Sequence, residues 1–321
     1  MNCVLIGNYG AGNLGDEALK EYFLTRFPEI RWTVLSAAPS GPQEVPRLPF
    51  GLRSMLLMPW WRTIRALRRA DAVVFGGGSL FTDSESAAAC LLWWWHGCVV
   101  RLFRRPLILA FQGVGPFDNT VAGGFSRRCA HSTVAHAAFV SVRDDESERR
   151  VNGWNAHAVL SFDPILGMIS PSGNIPRESI LAVIPRMNSG SAFRSAVVAT
   201  VARDTPETVL ILSMQPDSVE EQRICDELCR MIGPSASLHH VRTLSRLTEL
   251  LGGCGNIITE RYHGALAAIA LGLSVEIIPQ AEGDKLAGLR VLQGNPAMLA
   301  AMRERVRTGE EELRKFLGVL Q

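Results

Sequence analysis

The chain has 321 residues and a mass of 35.1 kDa, too long for a small disulfide-stapled scaffold and long enough for two domains of roughly 100–200 residues. A hydrophobic share of 47% beside 20% charged residues excludes a disordered chain. Its 33 basic and 31 acidic residues leave a net charge of only +2, so no global field calls for nucleic acid.

In chain order, short aliphatic runs alternate with longer helical patterns, the signature of α/β units on parallel sheets. Strands are expected near 2–7, 31–36, 71–75, 106–111, 137–142 and 156–160. Residues 163–176 then hold three prolines, two glycines and two serines, which reads as a linker. A second series follows near 179–184, 208–213, 237–241, 255–259 and 274–278, with helical stretches at 217–231 and 262–271 and a charged helical tail from about 295 to 319. The expected architecture is two doubly wound, Rossmann-like domains, 1–165 and 175–321, the second carrying the C-terminal helix. Their ligand cleft is expected between them, at the carboxyl ends of both sets of strands.

Seven cysteines, at 3, 90, 98, 129, 225, 229 and 254, lack CxxC spacing and read as free core thiols in a reducing compartment. Met1 leads directly into a strand pattern with no leader-like segment, which predicts a cytoplasmic protein. The most apolar stretch, 87–100, is interrupted by His96 and falls short of the roughly 20 residues of a membrane span. No metal site is expected: Cys225 with Cys229 reads as core thiols, and His239-His240 as surface imidazoles.

Gly10-Ala11-Gly12-Asn13-Leu14-Gly15 satisfies the dinucleotide pattern, follows a strand and opens a helix. The second strand nevertheless ends in Ser36-Ala37-Ala38-Pro39, without the carboxylate that a ribose needs. Asp16 and Glu17 also place negative charge where a pyrophosphate would sit. The loop therefore reads either as a tight turn capped by Asp16 or as a hydroxyl-binding element using Asn13, Asp16 and Glu17. Two more glycine loops, Gly76-Gly77-Gly78-Ser79 and Gln112-Gly113-Val114-Gly115-Pro116, follow strands at the same sheet edge. Together they read as a substrate-lined rim, although any one of them could serve a sharp turn alone.

Three arginines are expected at strand carboxyl ends: Arg143 in Val142-Arg143-Asp144, Arg186 in Ile184-Pro185-Arg186, and Arg261 in Glu260-Arg261-Tyr262-His263-Gly264. Guanidinium groups there suit a phosphate or carboxylate. His263 falls at a helix N-terminus, whose positive end favours the neutral imidazole that a general base needs. The alternative gives Arg261 to a salt bridge with Glu260 or another acid, and His263 to helix capping.

These motifs, in this order and from residue 1 to about 290, resemble those of polysaccharide pyruvyl transferases. The resemblance implies a fold like that of GT-B glycosyltransferases. It also implies transfer of pyruvate from phosphoenolpyruvate onto two hydroxyls of a glycan acceptor as a cyclic ketal, with release of phosphate and no further cofactor. Carried over by position, Arg261 and His263 match the family's donor-binding Arg-x-His element, with Tyr262 in place of the leucine often seen between them, and Arg143 matches a third donor contact. His263 is the candidate catalytic base, and Tyr262 and Arg186, the latter from its strand end, join the donor side. Asn13, Asp16, Glu17, Gly78, Ser79 and Asp83 fall on the acceptor side, the carboxylates being candidate proton carriers. A sugar-nucleotide glycosyltransferase and a non-catalytic glycan-binding relative are the competing readings.

Residues 52–69 hold five arginines and no acid beside Trp60-Trp61, and Trp93-Trp94-Trp95 precedes Arg101, Arg104 and Arg105. Such stretches suit either peripheral contact with the inner face of a membrane, where the family's acceptors are often polyprenyl-diphosphate-linked, or core helices with a solvated basic face.

Overall fold

The computed structural model describes residues 1–57, 59–84, 86–119, 121–171, 178–280 and 286–319. The chain forms two compact units: residues 1–11, 19–164 and 302–321 make the first, and residues 12–18 with 165–301 the second. The linker expected at 163–176 begins instead as a 3-10 helix, Pro164–Met168, with Ile165 and Leu166 fully buried. Residues 172–176 of that stretch lie outside the described residues.

The first unit carries a seven-stranded sheet of β1 (Asn2–Ile6), β2 (Arg31–Ser36), β3 (Glu44–Pro46), β4 (Ala72–Phe81), β5 (Leu107–Val114), β6 (Phe139–Val142) and β7 (Val159–Leu160). The order is β3-β2-β1-β4-β5-β6-β7, and each pairing is parallel. Strands buried on both faces read as unbroken apolar runs, as in Ala72-Val73-Val74-Phe75. The helices along the chain are α1 (Leu14–Arg26), α2 (Leu52–Leu57), α3 (Trp61–Arg69), α4 (Ala87–Leu102), α5 (Gly123–Ala135) and α6 (Asp145–Asn152).

Two expectations change here. The glycine stretches 76–79 and 112–114 are not loops after their strands but continuations of β4 and β5, with register shifts around Gly78–Phe81 and Leu109–Gln112. The short β3 gave no sequence signal, because Glu-Val-Pro has no alternation and ends in proline, which only an edge strand tolerates.

In the second unit, β8 (Glu178–Ile184), β9 (Thr208–Ser213), β10 (Ala236–His240), β11 (Cys254–Thr259) and β12 (Ser274–Ile277) form a parallel sheet in the order β10-β9-β8-β11-β12. Between them run α7 (Ser191–Asp204), α8 (Val219–Ile232), α9 (Leu244–Gly252) and α10 (Tyr262–Ala270), followed by α11 (Ala287–Arg290) and α12 (Pro296–Leu317). Side chains cap the helices where the sequence offers them: Ser218 accepts from the Glu221 amide at 3.2 Å, and Thr243 from the Arg246 amide at 3.2 Å. The core of this unit gathers Leu181, Val183, Phe193, Val209, Ile211, Leu228 and Ile258.

The C-terminal helix, expected in the second domain, belongs to the first unit from Met302 onward. Glu310 explains the attachment. Its carboxylate accepts from Tyr22 Oη at 3.1 Å and pairs with Arg26 at 3.1 Å and Arg314 at 3.3 Å. The Arg314 guanidinium also lies 4.5 Å from the Phe27 ring centroid, on an aromatic cluster of Tyr22, Phe23, Phe27, Trp32 and Phe111.

Candidate functional site

In each sheet the order reverses between the first and fourth strands of its series, which opens a crevice at their carboxyl ends where α/β folds bind ligands. In the second unit this point lies between β8 and β11. Pro185-Arg186 leaves one strand, and Glu260-Arg261 leaves the other to enter α10. Arg261 holds the N-cap position in extended conformation (φ −94°, ψ 125°) without capping the helix through its side chain. Its amide donates to Thr259 Oγ1 at 2.9 Å, which sharpens the strand-to-helix turn.

The Arg261 guanidinium turns inward. Nε donates to the Pro185 carbonyl at 3.1 Å, and Nη2 forms an ion pair with Glu221, a fully buried residue. Glu221 Oε1 in turn accepts from Ser213 Oγ at 2.9 Å and from the Gln215 amide at 2.7 Å. The acid partner that the alternative reading allowed for Arg261 is thus Glu221, forty residues upstream, and not the adjacent Glu260. Glu260 instead accepts from Ser189 Oγ and, at 3.4 Å, from Gln280 Nε2. Burial raises its carboxyl above the ordinary range, a rise offset in part by those two hydrogen bonds and by the charges of Arg186 and Arg194. Arg186 is half-buried, and its amide donates to the same Ser189 hydroxyl at 2.9 Å.

His263, half-buried in the first turn of α10, meets Tyr262 edge to face at a centroid distance of 5.2 Å. On its other side lies the segment 12–18, which belongs to this unit although it comes from the start of the chain. The Leu14 amide donates to the Met214 carbonyl at 3.0 Å, anchoring the turn beside β9. A methyl group at Gly15 would overlap the His263 imidazole. The φ of Gly15 lies outside the left-handed region, so close approach alone demands glycine here. Asn13, directly before α1, accepts the Gly15 amide on Oδ1 at 3.0 Å, and its carbonyl accepts the Glu17 amide at 3.1 Å. Asn13 is therefore the cap that the sequence reading gave to Asp16, because α1 begins at Leu14 and leaves Asp16 inside the first turn. Asn13, Asp16 and Glu17, expected on the acceptor side with the first domain, share a unit with His263, Arg261, Tyr262 and Arg186.

The corresponding point of the first unit is filled from within. The fully buried Tyr9 ring covers Gly7 and Gly76, and its hydroxyl donates to the Gly76 carbonyl at 2.6 Å. Leu19 occupies the space a side chain on Gly77 would need, 2.8 Å from its Cβ position. These glycines admit the chain's own side chains rather than exposing bare backbone. Gln112 stitches the same strands together, Nε2 donating to the Phe75 and Gly77 carbonyls at 3.0 and 3.1 Å. Gly78 follows with φ 82°.

Arg143, expected as a donor contact, leaves β6 buried to 4% exposure and is held in the first unit. Nη1 donates to Asp163 at 2.9 Å and Nη2 to Ser79 Oγ at 2.7 Å. Asp83 is buried as well, and its Oδ1 accepts the amides of Asp118 and Asn119 at 2.9 and 3.3 Å. Sequence reading missed Ser189, Gln280 and Glu221 as partners of the site. Glu221 had a misleading signal: Ser218-x-x-Glu221 reads as a capping box, but the carboxylate turns to Ser213 and Arg261.

Among the described residues no group of three or more His, Cys, Asp or Glu could hold a metal, and no helix is long and apolar enough to cross a membrane. The seven cysteines are free thiols; burial pushes those of Cys3, Cys90 and Cys225 up to about 12.

Among solved structures the chain is similar to HepE of Anabaena in complex with UDP-glucose, at 11% identity and TM-score 0.62, over 100% of both chains. It is also similar to the UDP-N-acetylglucosamine 2-epimerase of Rickettsia bellii (9% identity, TM-score 0.61), covering 98% of this chain and 95% of that one. Sucrose-phosphate synthase of Thermosynechococcus elongatus gives 12% identity and TM-score 0.53 over 98% and 94%. At these identities the likeness establishes the fold, that of GT-B glycosyltransferases. No curated protein matches the sequence. The family model for polysaccharide pyruvyl transferase matches residues 13–275, from the Asn13 turn through β11 and α10 into β12, and the chain belongs to that family.

Proposed function

We propose that this transferase moves pyruvate from phosphoenolpyruvate onto two hydroxyls of a sugar in a cell-surface polysaccharide or its lipid-linked precursor, forming a cyclic ketal and releasing phosphate. One observation carries the reading: His263 stands at the start of α10 against the Gly15 backbone, with Arg261 and Arg186 at the ends of the two strands that flank it. The donor is a small acid with two anionic groups. A half-buried Arg186, an Arg261 fixed by Glu221, and the positive end of α10 would orient it.

The reaction forms two carbon–oxygen bonds at one carbon, by an addition and then a displacement. The first hydroxyl oxygen bonds to the central carbon as the methylene carbon takes a proton, turning the alkene into a methyl group. The second hydroxyl oxygen then displaces phosphate from the same carbon and closes the ring. Two hydroxyl protons leave; one balances the methyl group and the other leaves with phosphate. His263 would accept a hydroxyl proton. Glu260, whose carboxyl burial raises above the ordinary range, would return one to the methylene. Asn13, Asp16 and Glu17 would bind acceptor hydroxyls beside His263.

The experiment is acceptor-dependent phosphate release from phosphoenolpyruvate, paired with thermal shift. Phosphoenolpyruvate is expected to raise the melting temperature and a UDP-sugar to leave it unchanged. HepE, a structural neighbour, was solved with UDP-glucose, which gives the glycosyltransferase reading its support. A shift with UDP-glucose and none with phosphoenolpyruvate would decide for that reading. Glycan binding with no phosphate release would decide for a non-catalytic relative.

A further inference from the structure

The basic, tryptophan-bearing stretch at 52–69 and the stretch at 93–105 part company in the structure. In α4, Trp93 is buried under Arg47, whose guanidinium lies 5.0 Å from the ring centroid, and Trp94 packs on Phe125 at 6.5 Å. Of the three tryptophans of that helix, only Trp95 is exposed. The segment of α2 and α3 is the reverse. Met55 is 58% exposed, Leu56 79% and Trp61 60%, and Trp60 is fixed beside them by a 3.0 Å hydrogen bond from Nε1 to the Met55 carbonyl.

Directly after these apolar side chains, α3 presents exposed Arg62, Arg65, Arg68 and Arg69. None of the four has an acidic partner among the described residues, and no acid occurs between Glu44 and Asp71. Arg105 adds a fifth cation, donating 2.5 Å to the Arg68 carbonyl at the end of the helix. Arg62, Arg65 and Arg69 lie three and four residues apart, on one face of α3. They line a cavity of about 530 Å³ against the β1–β2 ladder, with Thr33, Gln43 and Trp61 on its walls.

We propose that α2 and α3 form a docking surface for an anionic lipid bilayer. Met55, Leu56, Trp60 and Trp61 enter the headgroup layer, and Arg62, Arg65 and Arg69 take lipid phosphates at the mouth of the cavity. The argument is charge complementarity on an exposed apolar edge: indole favours the interface, and unpaired arginines favour its negative potential. The surface does not rest on the identity of the donor, so its test stands apart from the enzymatic one.

The full chain is sedimented with vesicles rich in phosphatidylglycerol and with vesicles of phosphatidylcholine alone, while tryptophan emission is followed. Binding is expected to the anionic vesicles only, to weaken with salt, and to shift the emission to the blue. The triple variant Arg62→Glu/Arg65→Glu/Arg69→Glu should bind about 100-fold more weakly, and Leu56→Ser/Trp61→Ser should lose the blue shift. Both variants change exposed side chains, and both should release phosphate from a soluble acceptor at the wild-type rate. Equal binding to both vesicle types overturns the proposal, as does binding that survives the triple charge reversal. Protection of the fold by soluble pyrophosphate, without vesicle binding, would identify a pocket for a free anion and overturn it too.

Discussion

The two sheets reverse their strand order in the same way, yet the crevices at the reversals differ in kind. In the first unit the point between β1 and β4 is closed by Tyr9, which lies over Gly7 and Gly76 and donates its hydroxyl to the strand. In the second, the point between β8 and β11 carries Arg186, Glu260, Arg261 and His263, with Gly15 pressed against the imidazole. A glycine can therefore serve opposite ends: Gly76 makes room for the core, and Gly15 makes room for the half-buried His263 imidazole. The type of residue does not distinguish these uses; what lies above it does.

The strongest way to break this contrast is His263→Ala, expected to lower acceptor-dependent phosphate release by about 10²–10⁴-fold while circular dichroism and the melting temperature stay near wild type. A wild-type rate would remove the site from the second unit.

Next comes Arg261→Ala, which leaves Glu221 buried without its cation and should cost about 3–5 kcal/mol in a denaturant titration. Adding Glu221→Gln should recover much of that loss without restoring activity. Recovery of both would reduce Arg261 to a structural role.

Acidification should separate the units by a different route. His96 in α4 is fully buried, Nδ1 directed at the Leu92 carbonyl at 2.8 Å and Nε2 accepting the Leu48 amide at 3.1 Å, and burial lowers its pKa from 6.5 to about 4. Because the unfolded imidazole binds its proton first, this stability is complete above about pH 6.5 and is lost as pH falls toward 4, by about 3 kcal/mol in all. Urea titrations at stepped pH should show that loss, and His96→Gln should flatten it.

Gly15→Ala sharpens the comparison directly: the added methyl displaces the imidazole and should lower kcat by about 100-fold, with little change in stability. Tyr9→Phe is its counterpart, expected to cost about 1 kcal/mol of stability through the lost bond to Gly76 and to leave kcat/KM unchanged. If Tyr9→Phe proves as damaging to turnover as Gly15→Ala, the first crevice also serves the reaction.

Local chemistry made much of this molecule legible. Apolar runs bounded by turn residues located eleven of the twelve strands among the described residues, since a strand buried on both faces must be apolar along its length. The Glu260–Gly264 element announced a strand end, a cation and a helix start within five residues. By contrast, Glu221 was hidden in a capping-box pattern, and the glycine stretches looked like ligand loops because Tyr9 and Leu19 are not adjacent to Gly76 and Gly77 in sequence.

The sequence by itself determined the alternation of strands and helices and the residue types at the strand ends, because periodicity and turn preferences act over a few residues. Only the tertiary structure decided that residues 12–18 join the second unit, that Met302 onward returns to the first, and that Glu221 rather than Glu260 takes Arg261. Those choices depend on which distant side chains share one buried space, where an ion pair or an aromatic ring must find its partner or lose the burial that holds it.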